Sequence, residues 1–370
     1  MNRAFRYRIY PTPEQEILFS KTFGCCRKVY NLMLSDKIAH FKETGESLMT
    51  TPAMYKKAYP YLREVDSLAL ANVQMDLQAA FRNFFDKSRK ARCGFPKFKS
   101  RNSYTTNNQN GTVALVEGRY IRLPKVGLVK AVIHRAPENE GKLKSATVSK
   151  ERDDTYYISV LFAFEKAIAQ VLVPTNAVGL DYKSDGLYMD SDGHIGKNHK
   201  YYRESHKKLA KAQRRLSRMT GSKRNEAKSN NYRRQLRKVN RIHRHIANQR
   251  LDYLHKTSTE IANLYDVVCV ESLNMRAIAN KGFGNGKATM DNGYGLFLVM
   301  LDYKLRDRGK YFVKVDKWYP SSQICSCCGR RQKLTLAERV YRCECGLTID
   351  RDLNAAINIK NEGLRLLKAE

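Results

Sequence analysis

The sequence predicts a multidomain α+β protein, on three observations. A strand-like alternation at the N-terminus is followed by helical periodicity and then by a series of short β-like runs. Two later apolar runs each end in a carboxylate. Five of nine cysteines crowd into one short segment. At roughly 150 residues per domain, 370 residues leave room for two or three.

In residues 3–10, Phe5, Tyr7 and Ile9 fall on one side and Arg6 and Arg8 on the other. That period of two reads as a strand with one buried and one basic face. Thr12, Pro13 and Gln15 then have the spacing of a capping box with proline at the first helical position. Residues 13 to about 90 read as mostly helical; Leu70, Val73, Leu77, Phe81, Phe84 and Phe85 recur at helical spacing, and Gln74 and Gln78 share a face. From Gly94 the texture changes to β-like runs at Thr112–Val116, Val132–Ala136 and Tyr156–Phe164, expected to pair with the N-terminal strand.

A new unit begins near Asn176. The apolar run at the start of AVGLDY leads to an acid, Asp181, and Leu187–Met189 with Ser191-Asp192-Gly193 reads as a hairpin. Residues 197–250 carry 19 Lys+Arg against two acids, Glu204 and Glu226. Sparse seams there (Leu209, Leu216; Leu236, Val239, His243, Ile246) read as two basic helices. DVVCVE is a second apolar run ending in an acid, and the stretch KGFGNGKATMDNGYG after it reads as a loop. A helix at Leu296–Leu305 and a strand at Tyr311–Val315 lead to the cysteines; a helix opening at Asp350–Asp352 closes the chain.

The charge narrows the function class. Lys+Arg number 68 and Asp+Glu 36, a net charge of +32. Such an excess opposes compaction unless an anionic partner neutralises it, while 42% hydrophobic residues can build real cores. A folded protein with a nucleic-acid partner is expected. No apolar run approaches the ~20 residues of a membrane span, and the first residues lack a signal-peptide core. The expected place is the cytoplasm, where cysteines stay reduced, so the clustered ones point to a metal rather than to disulfides.

Cys325-x-x-Cys328 and Cys343-x-Cys345 are two close pairs 14 residues apart, each followed by a glycine. Four thiolates in two knuckles make a tetrahedral S4 site for one structural Zn²⁺. Cys327 is a spare thiol that competes for the ligand register. Asp181 and Glu271 each end a β-like run, where a carboxylate is costly unless paired or metal-bound. Asp352, with Asp350 near it, opens the last helix. Three such acids meeting in space would hold two Mg²⁺ ions for phosphodiester cleavage; read singly, each is an ordinary cap.

These residues carry a resemblance. VGLDYKSDGL, VVCVESLNM, GYGLFLVMLDYKL, YPSSQICSCCG, CECG and DRDLNAAINI, together with FRYRIYPTPEQ, resemble in sequence and order the TnpB family. Its members are RNA-guided DNA endonucleases of bacterial insertion sequences and relatives of type V CRISPR effectors. The resemblance implies a β-barrel wedge domain (1–10 and 95–170) with a helical recognition insertion (11–94). It implies an RNase H-like RuvC nuclease domain (171–319 and 347–370) and a zinc-binding insert that touches target nucleic acid (320–346). It places Asp181, Glu271 and Asp352 in the three acidic motifs, with Asp350 as the alternative third acid. It places Cys325, Cys328, Cys343 and Cys345 on zinc, and a flexible lid at 282–295. It implies a guide RNA from the element end, the reading of a short motif in duplex DNA and the cutting of guide-complementary DNA; the expected assembly is a monomer with one RNA, as against a dimer, and the expected place is near the nucleoid. Gln74 and Gln78 suit adenine edges, and Ser103, Thr105 and Thr106 suit phosphates or bases. Lys207, Lys211, Arg214, Arg215, Arg233, Arg234, Arg237 and Arg241 suit a nucleic-acid backbone. Tyr201, Tyr202 and Tyr232 either stack on bases or belong to a core. Two other readings compete: a guide-bound repressor of transcription, against which the intact acids argue, and a transposase or its accessory that does not cut.

Overall fold

The structure, a computed structural model, describes residues 1–86, 88, 93–100, 102–109, 111–135, 137, 141–165, 168–223, 226–279, 286–335 and 338–369. The chain divides into two compact units, Met1–Ala167 and Ile168–Glu370.

The first unit begins with β1 (Asn2–Tyr10), whose Phe5, Tyr7 and Ile9 are buried and whose Arg6 and Arg8 are exposed, as the alternation predicts. α1 (Pro13–Thr44) starts on the Thr12–Gln15 capping box and stops at Gly45 in the left-handed region, φ +76°. α2 (Ser67–Phe85) starts on Asp66, which accepts from Leu68 N. β2 (Ser103–Asn107), β3 (Ala114–Val116), β4 (Tyr120–Leu123), β5 (Gly127–Val132), β6 (Lys142–Lys150) and β7 (Tyr156–Ala163) follow. With β1 they form one antiparallel sheet in the order β2-β6-β7-β1-β5-β4-β3. Its two edges, β2 and β3, are not joined by a ladder among the described residues. A single core joins the sheet to both helices through Phe19, Val29, Met33, Leu70 and Leu77, each such burial being worth about 1.5–3 kcal/mol.

Three expectations change here. The helical region is broken after Gly45 by two short 3-10 turns, Pro52–Tyr55 and Pro60–Arg63. The strand expected at 132–136 lies earlier, because a tight turn with Lys125 and Gly127 at positive φ folds β5 straight back on β4. Phe84 and Phe85, read as part of the apolar stripe, are exposed beyond the end of the core.

The second unit has a four-stranded sheet of β8 (Ala177–Tyr182), β9 (Tyr188–Asp190), β10 (Val267–Glu271) and β11 (Tyr311–Val315) in the order β11-β10-β8-β9. β8 and β11 run parallel to β10, and β9 antiparallel to β8. Val267–Val270 are fully buried, the continuous apolar run of a strand covered on both faces. One cover is formed by α4 (Asn230–Leu264) and α7 (Tyr294–Arg306), whose Leu254, Ile261, Phe297 and Leu301 pack with Val268 and Val270. The other is α8 (Arg351–Ala369), whose Ile359 packs with Val267 and Cys269. α3 (Tyr201–Ser217) pairs with the first half of α4 around Leu209, Ala212, Val239, Ile242 and Ile246. His243, expected in that seam, is exposed; Ile242 takes the place, because 239, 242 and 246 share one face. Short helices α5 (Met275–Ile278) and α6 (Gly286–Asn292) precede α7. The first part of the glycine-rich lid expected at 282–295 lies outside the described residues, and the rest is α6 and the start of α7 rather than loop. β12 (Val340–Arg342) and β13 (Thr348–Asp350) form a small hairpin sheet. Among the described residues no helix is long and apolar enough to cross a membrane.

Candidate active site

The parallel ladder pairs Leu180 with Val270, so the next residues, Asp181 and Glu271, leave the same end of β8 and β10 side by side. Two glycines bring the third acid there. A Cβ on Gly179 would lie 2.1 Å from the Ala356 carbonyl oxygen, and one on Gly363 would lie 2.2 Å from Cys269 Sγ. α8 therefore lies directly on the sheet, and its first turn carries Asp352 to the end where Asp181 and Glu271 emerge. Asp350 is exposed and accepts from the backbone N–H of Asp352 (2.9 Å) and Leu353 (3.1 Å). It is occupied as the helix cap. Asp352 instead accepts from Lys183 Nζ at 2.6 Å, both side chains being 17% exposed.

Burial pushes Asp181 up to about 8, helped by the charges of Glu271 and Asp352. Burial pushes Glu271 up to about 7. Neither acid is content as a lone anion, the condition that a bound cation or a proton relieves. The Tyr294 hydroxyl is buried with no hydrogen-bond partner among the described residues; burial, then Asp181 and Glu271, hold its pKa well above the usual phenol value. An orphaned donor next to charged oxygens marks room for a further polar group. The all-oxygen donor set suits a hard divalent cation, so these residues fit Mg²⁺.

The four cysteines are the one set of metal-ligating side chains, among the described residues, whose ligand atoms all lie within 4.8 Å of one another. Cys325 and Cys345 Sγ are 3.6 Å apart, as are Cys328 and Cys343 Sγ. A tetrahedron with Zn–S bonds of about 2.3 Å has edges of roughly 3.8 Å, so the thiols stand at the spacing of an S4 site. Each pair is a turn closed by backbone bonds: Gly329 N to Cys325 O and Cys325 N to Arg330 O; Gly346 N to Cys343 O and Cys343 N to Leu347 O. Gly329 and Gly346 take positive φ, as such knuckles require. Burial works against the Cys325 thiolate, but N–H groups of Cys328 and Cys327 together with the thiols of Cys345 and Cys328 outweigh it and bring the thiol down to about 7. Cys327 is exposed and outside the four. Asn354 and Asn358 dock the first knuckle on α8: Asn354 accepts from Ser326 N and donates to Ile324 O, and Asn358 donates to Ser321 O and Ile324 O. The sequence reading missed both; its signal was two amides four apart on one helix face in LNAAIN.

The expected nucleic-acid contacts are scattered more widely. Gln78 is exposed and Gln74 half-buried on α2. Ser103 and Thr105 line a cavity of about 550 Å³ with Asn72, Asp76, Lys97 and Lys99. Thr106 leaves the set: it is 0% exposed and its hydroxyl donates to Asp66, the α2 cap, because β2 turns alternate residues into the core. Lys207, Lys211, Arg214, Arg215, Arg233, Arg234, Arg237 and Arg241 are all exposed on the α3–α4 hairpin. A groove of about 640 Å³ there is lined by Lys208, Lys211, Arg214, Arg215, Arg218 and Lys238, of which Lys208, Arg218 and Lys238 were not singled out from sequence. Tyr201 and Tyr202 pack on the hairpin's apolar seam, so they serve the core.

Comparison with known proteins completes the picture. Residues 147–281 match the family described as "Probable transposase", residues 1–46 a "Helix-turn-helix domain", and residues 294–359 a "Cas12f1-like, TNB domain". Residues 1–46 of this chain hold a strand and one long helix rather than two helices and a turn. A Streptomyces pristinaespiralis protein called "Putative RNA-guided DNA endonuclease" is 34% identical, over 98% of this chain and 90% of its own length. The Escherichia coli (strain K12) "Putative RNA-guided DNA endonuclease InsQ" is 30% identical, over 99% and 93%. "TnpB-like protein L79" of Acanthamoeba polyphaga mimivirus is 32% identical over 35% of this chain and 26% of its own. In fold the chain is similar to the protein in "Cryo-EM structure of the Cas12f1-sgRNA-target DNA complex", with a TM-score of 0.58 at 12% identity, covering 98% of this chain and 99% of that one. With kinship of that degree over nearly its whole length, the chain belongs to the TnpB family.

Proposed function

We propose that this protein is an RNA-guided DNA endonuclease of a transposable element. It binds one guide RNA from the element end, reads a short motif in duplex DNA, and cuts the guide-complementary target. The observation that carries the reading is the meeting of Asp181, Glu271 and Asp352, from three distant segments, at one end of one sheet beside the unpartnered Tyr294 phenol. The mixed order β11-β10-β8-β9 with α8 across it supports a RuvC-type, RNase H-like domain. The proposed domain limits are those expected from sequence: wedge 1–10 and 95–170, recognition 11–94, nuclease 171–319 and 347–370, zinc insert 320–346.

Asp181, Glu271 and Asp352 would hold two Mg²⁺ ions, which would supply charge stabilisation for phosphodiester cleavage. Lys183 keeps Asp352 turned into the pocket. Cys325, Cys328, Cys343 and Cys345 hold one Zn²⁺, and Asn354 and Asn358 make that centre a brace for the start of α8. The cations of the α3–α4 groove neutralise phosphates of the guide or heteroduplex and carry no sequence information. Base pairing supplies specificity, with Gln74, Gln78, Ser103 and Thr105 on the adjacent motif. The protein works as a monomer in the bacterial cytoplasm, at the nucleoid.

The test is to purify the protein with its RNA, sequence that RNA, and incubate the complex with a matched target and Mg²⁺. A discrete noncoding species and Asp181-dependent cutting are expected. Tight binding without cutting by the wild type would favour the repressor reading, and random cellular RNA would remove the guide.

A further inference from the structure

Helix α6 buries three polar side chains that the chemistry above does not use: Thr289, Asp291 and Asn292. Burying such groups costs free energy unless each finds directional partners, and each does. Asp291, 2% exposed, accepts from Tyr202 N at 3.0 Å and from Arg203 N at 3.4 Å. These are first-turn donors of α3, a helix without a cap of its own: Lys200 at its start is left-handed, φ +51°, and makes no side-chain cap bond. Asp291 therefore caps α3 from another element, its negative charge at the positive end of the helix. Arg250 of α4 adds Nη2 at 3.8 Å. On its other side α6 holds the strand that carries Asp181. Thr289 Oγ1 is 3.1 Å from the Tyr182 hydroxyl, and Asn292 Nδ2 is 3.4 Å from both that hydroxyl and Gly186 O. Asn292 Oδ1 also accepts from Tyr294 N at 3.1 Å, seating the residue whose phenol faces the carboxylates.

Beside the apolar packing that already seats α4 on the sheet, one seven-residue helix thus joins the first turn of α3 to the residue after Asp181 through directional bonds. We propose that Asp291 is a positioning residue: it fixes the start of α3, and with it the α3 wall of the groove, relative to the Asp181–Glu271 end of the sheet, so that the phosphate gripped there determines which phosphodiester reaches the carboxylates. This rests on the nuclease reading. Apolar residues would pack α6 as well, but they would give the first turn of α3 no directional partner. Displacement of about 1 Å at a reacting centre can cost roughly 10²-fold in rate.

The experiment compares wild type, Asp291→Ala and Asp291→Asn as RNA complexes. In Asp291→Ala, single-turnover cutting at saturating Mg²⁺ should slow at least ten-fold and the cut positions should spread over neighbouring nucleotides. Guide affinity should stay within three-fold of wild type. Asp291→Asn, which keeps an acceptor for α3, should restore most of the positional sharpness. Tyr182→Phe with Thr289→Val, severing the strand side, should blur the cut in the same way and add little to Asp291→Ala; this pair also serves if Asp291→Ala does not fold. Hydrogen exchange gives a readout independent of cutting. RNA binding should protect the first turn of α3 and, through α6, residues 177–190 in wild type but not in Asp291→Ala. Slower cutting at unchanged positions, in proportion to lost folded protein, would reduce Asp291 to an ordinary cap, and absence of linked protection in wild type would overturn the proposal. A wild type that shows linked protection but never cuts would sink the nuclease reading and leave the linkage standing.

Discussion

Among the described residues of the second unit, the four cysteines and the three carboxylates, both seated on α8, are built in opposite ways. The four cysteines come from one short stretch and their turns are closed by their own backbone bonds, which bring Cys325 to 3.6 Å from Cys345 and Cys328 to 3.6 Å from Cys343, with α8 docking the first knuckle. The three carboxylates come from positions 181, 271 and 352. Their nearness depends on strand register and on two glycines that let α8 touch the sheet. The cysteine set is tight; the carboxylate set is looser, with Lys183 on one member and an unpartnered phenol beside the others. A local, self-supporting site suits a structural ion, while a site assembled from distant elements retains the openness that a substrate and its ions need.

The sharpest way to break this contrast is at the carboxylates. Asp181→Asn should lower cutting by roughly 10³-fold or more, since metal-assisted chemistry contributes several kcal/mol of charge stabilisation, while leaving RNA affinity unchanged in a binding assay. The same variant has a signature in stability. Asp181 and Glu271 are held up to about 8 and about 7 in the folded protein, so the native state keeps protons that the unfolded chain releases. Stability of the Mg²⁺-free protein should therefore fall as pH rises from about 4 to 8. Asp181→Asn should flatten that fall, as read by thermal unfolding at pH 5 and pH 8; an unchanged slope would mean that the acid is not strained.

Next in size is the cysteine site. Cys325→Ser should abolish stoichiometric zinc by elemental analysis and expose 320–346 to protease, because small metal-held loops unfold without their ion. Cutting should fall with it, through the Asn354 and Asn358 brace. If cutting survives intact, the two sites are independent and the brace has no role. Gly179→Ala tests the other support of α8. Its methyl meets backbone, not a movable side chain, so a loss of about 1–3 kcal/mol is expected from overpacking, measured by denaturant unfolding, with cutting reduced beyond the loss of folded protein. The smallest effect belongs to Cys327→Ser: zinc content unchanged and stability within about 0.5 kcal/mol, the usual range for an exposed site.

Much of the first unit was legible because its signals are short-range. The β1 alternation and the Thr12–Gln15 box involve residues two or three apart, and both stand as read. The cysteine pairs were legible for the same reason. Thr106 was misread because polarity says nothing about which way a strand faces once its neighbours are in place; Asp66 waits for it across the core. His243 was misread because a seam of 3–4 spacing admits two adjacent residues, and only the facing helix chooses Ile242. Asp291 passed unnoticed within a glycine-rich stretch because the donors it satisfies lie 88 and 89 residues earlier.

Composition, periodicity and ordered motifs were enough to point to a basic nucleic-acid protein with a four-cysteine cluster and three candidate acids, since charge, alternation and close ligand pairs are properties of neighbouring residues. Which acid caps a helix and which pairs with Lys183, which hydroxyl is buried, and which carboxylate accepts from the first turn of α3 were decided only by the tertiary structure. Those choices turn on hydrogen bonds and contacts between residues tens to hundreds of positions apart, and such partners exist only once the chain has folded.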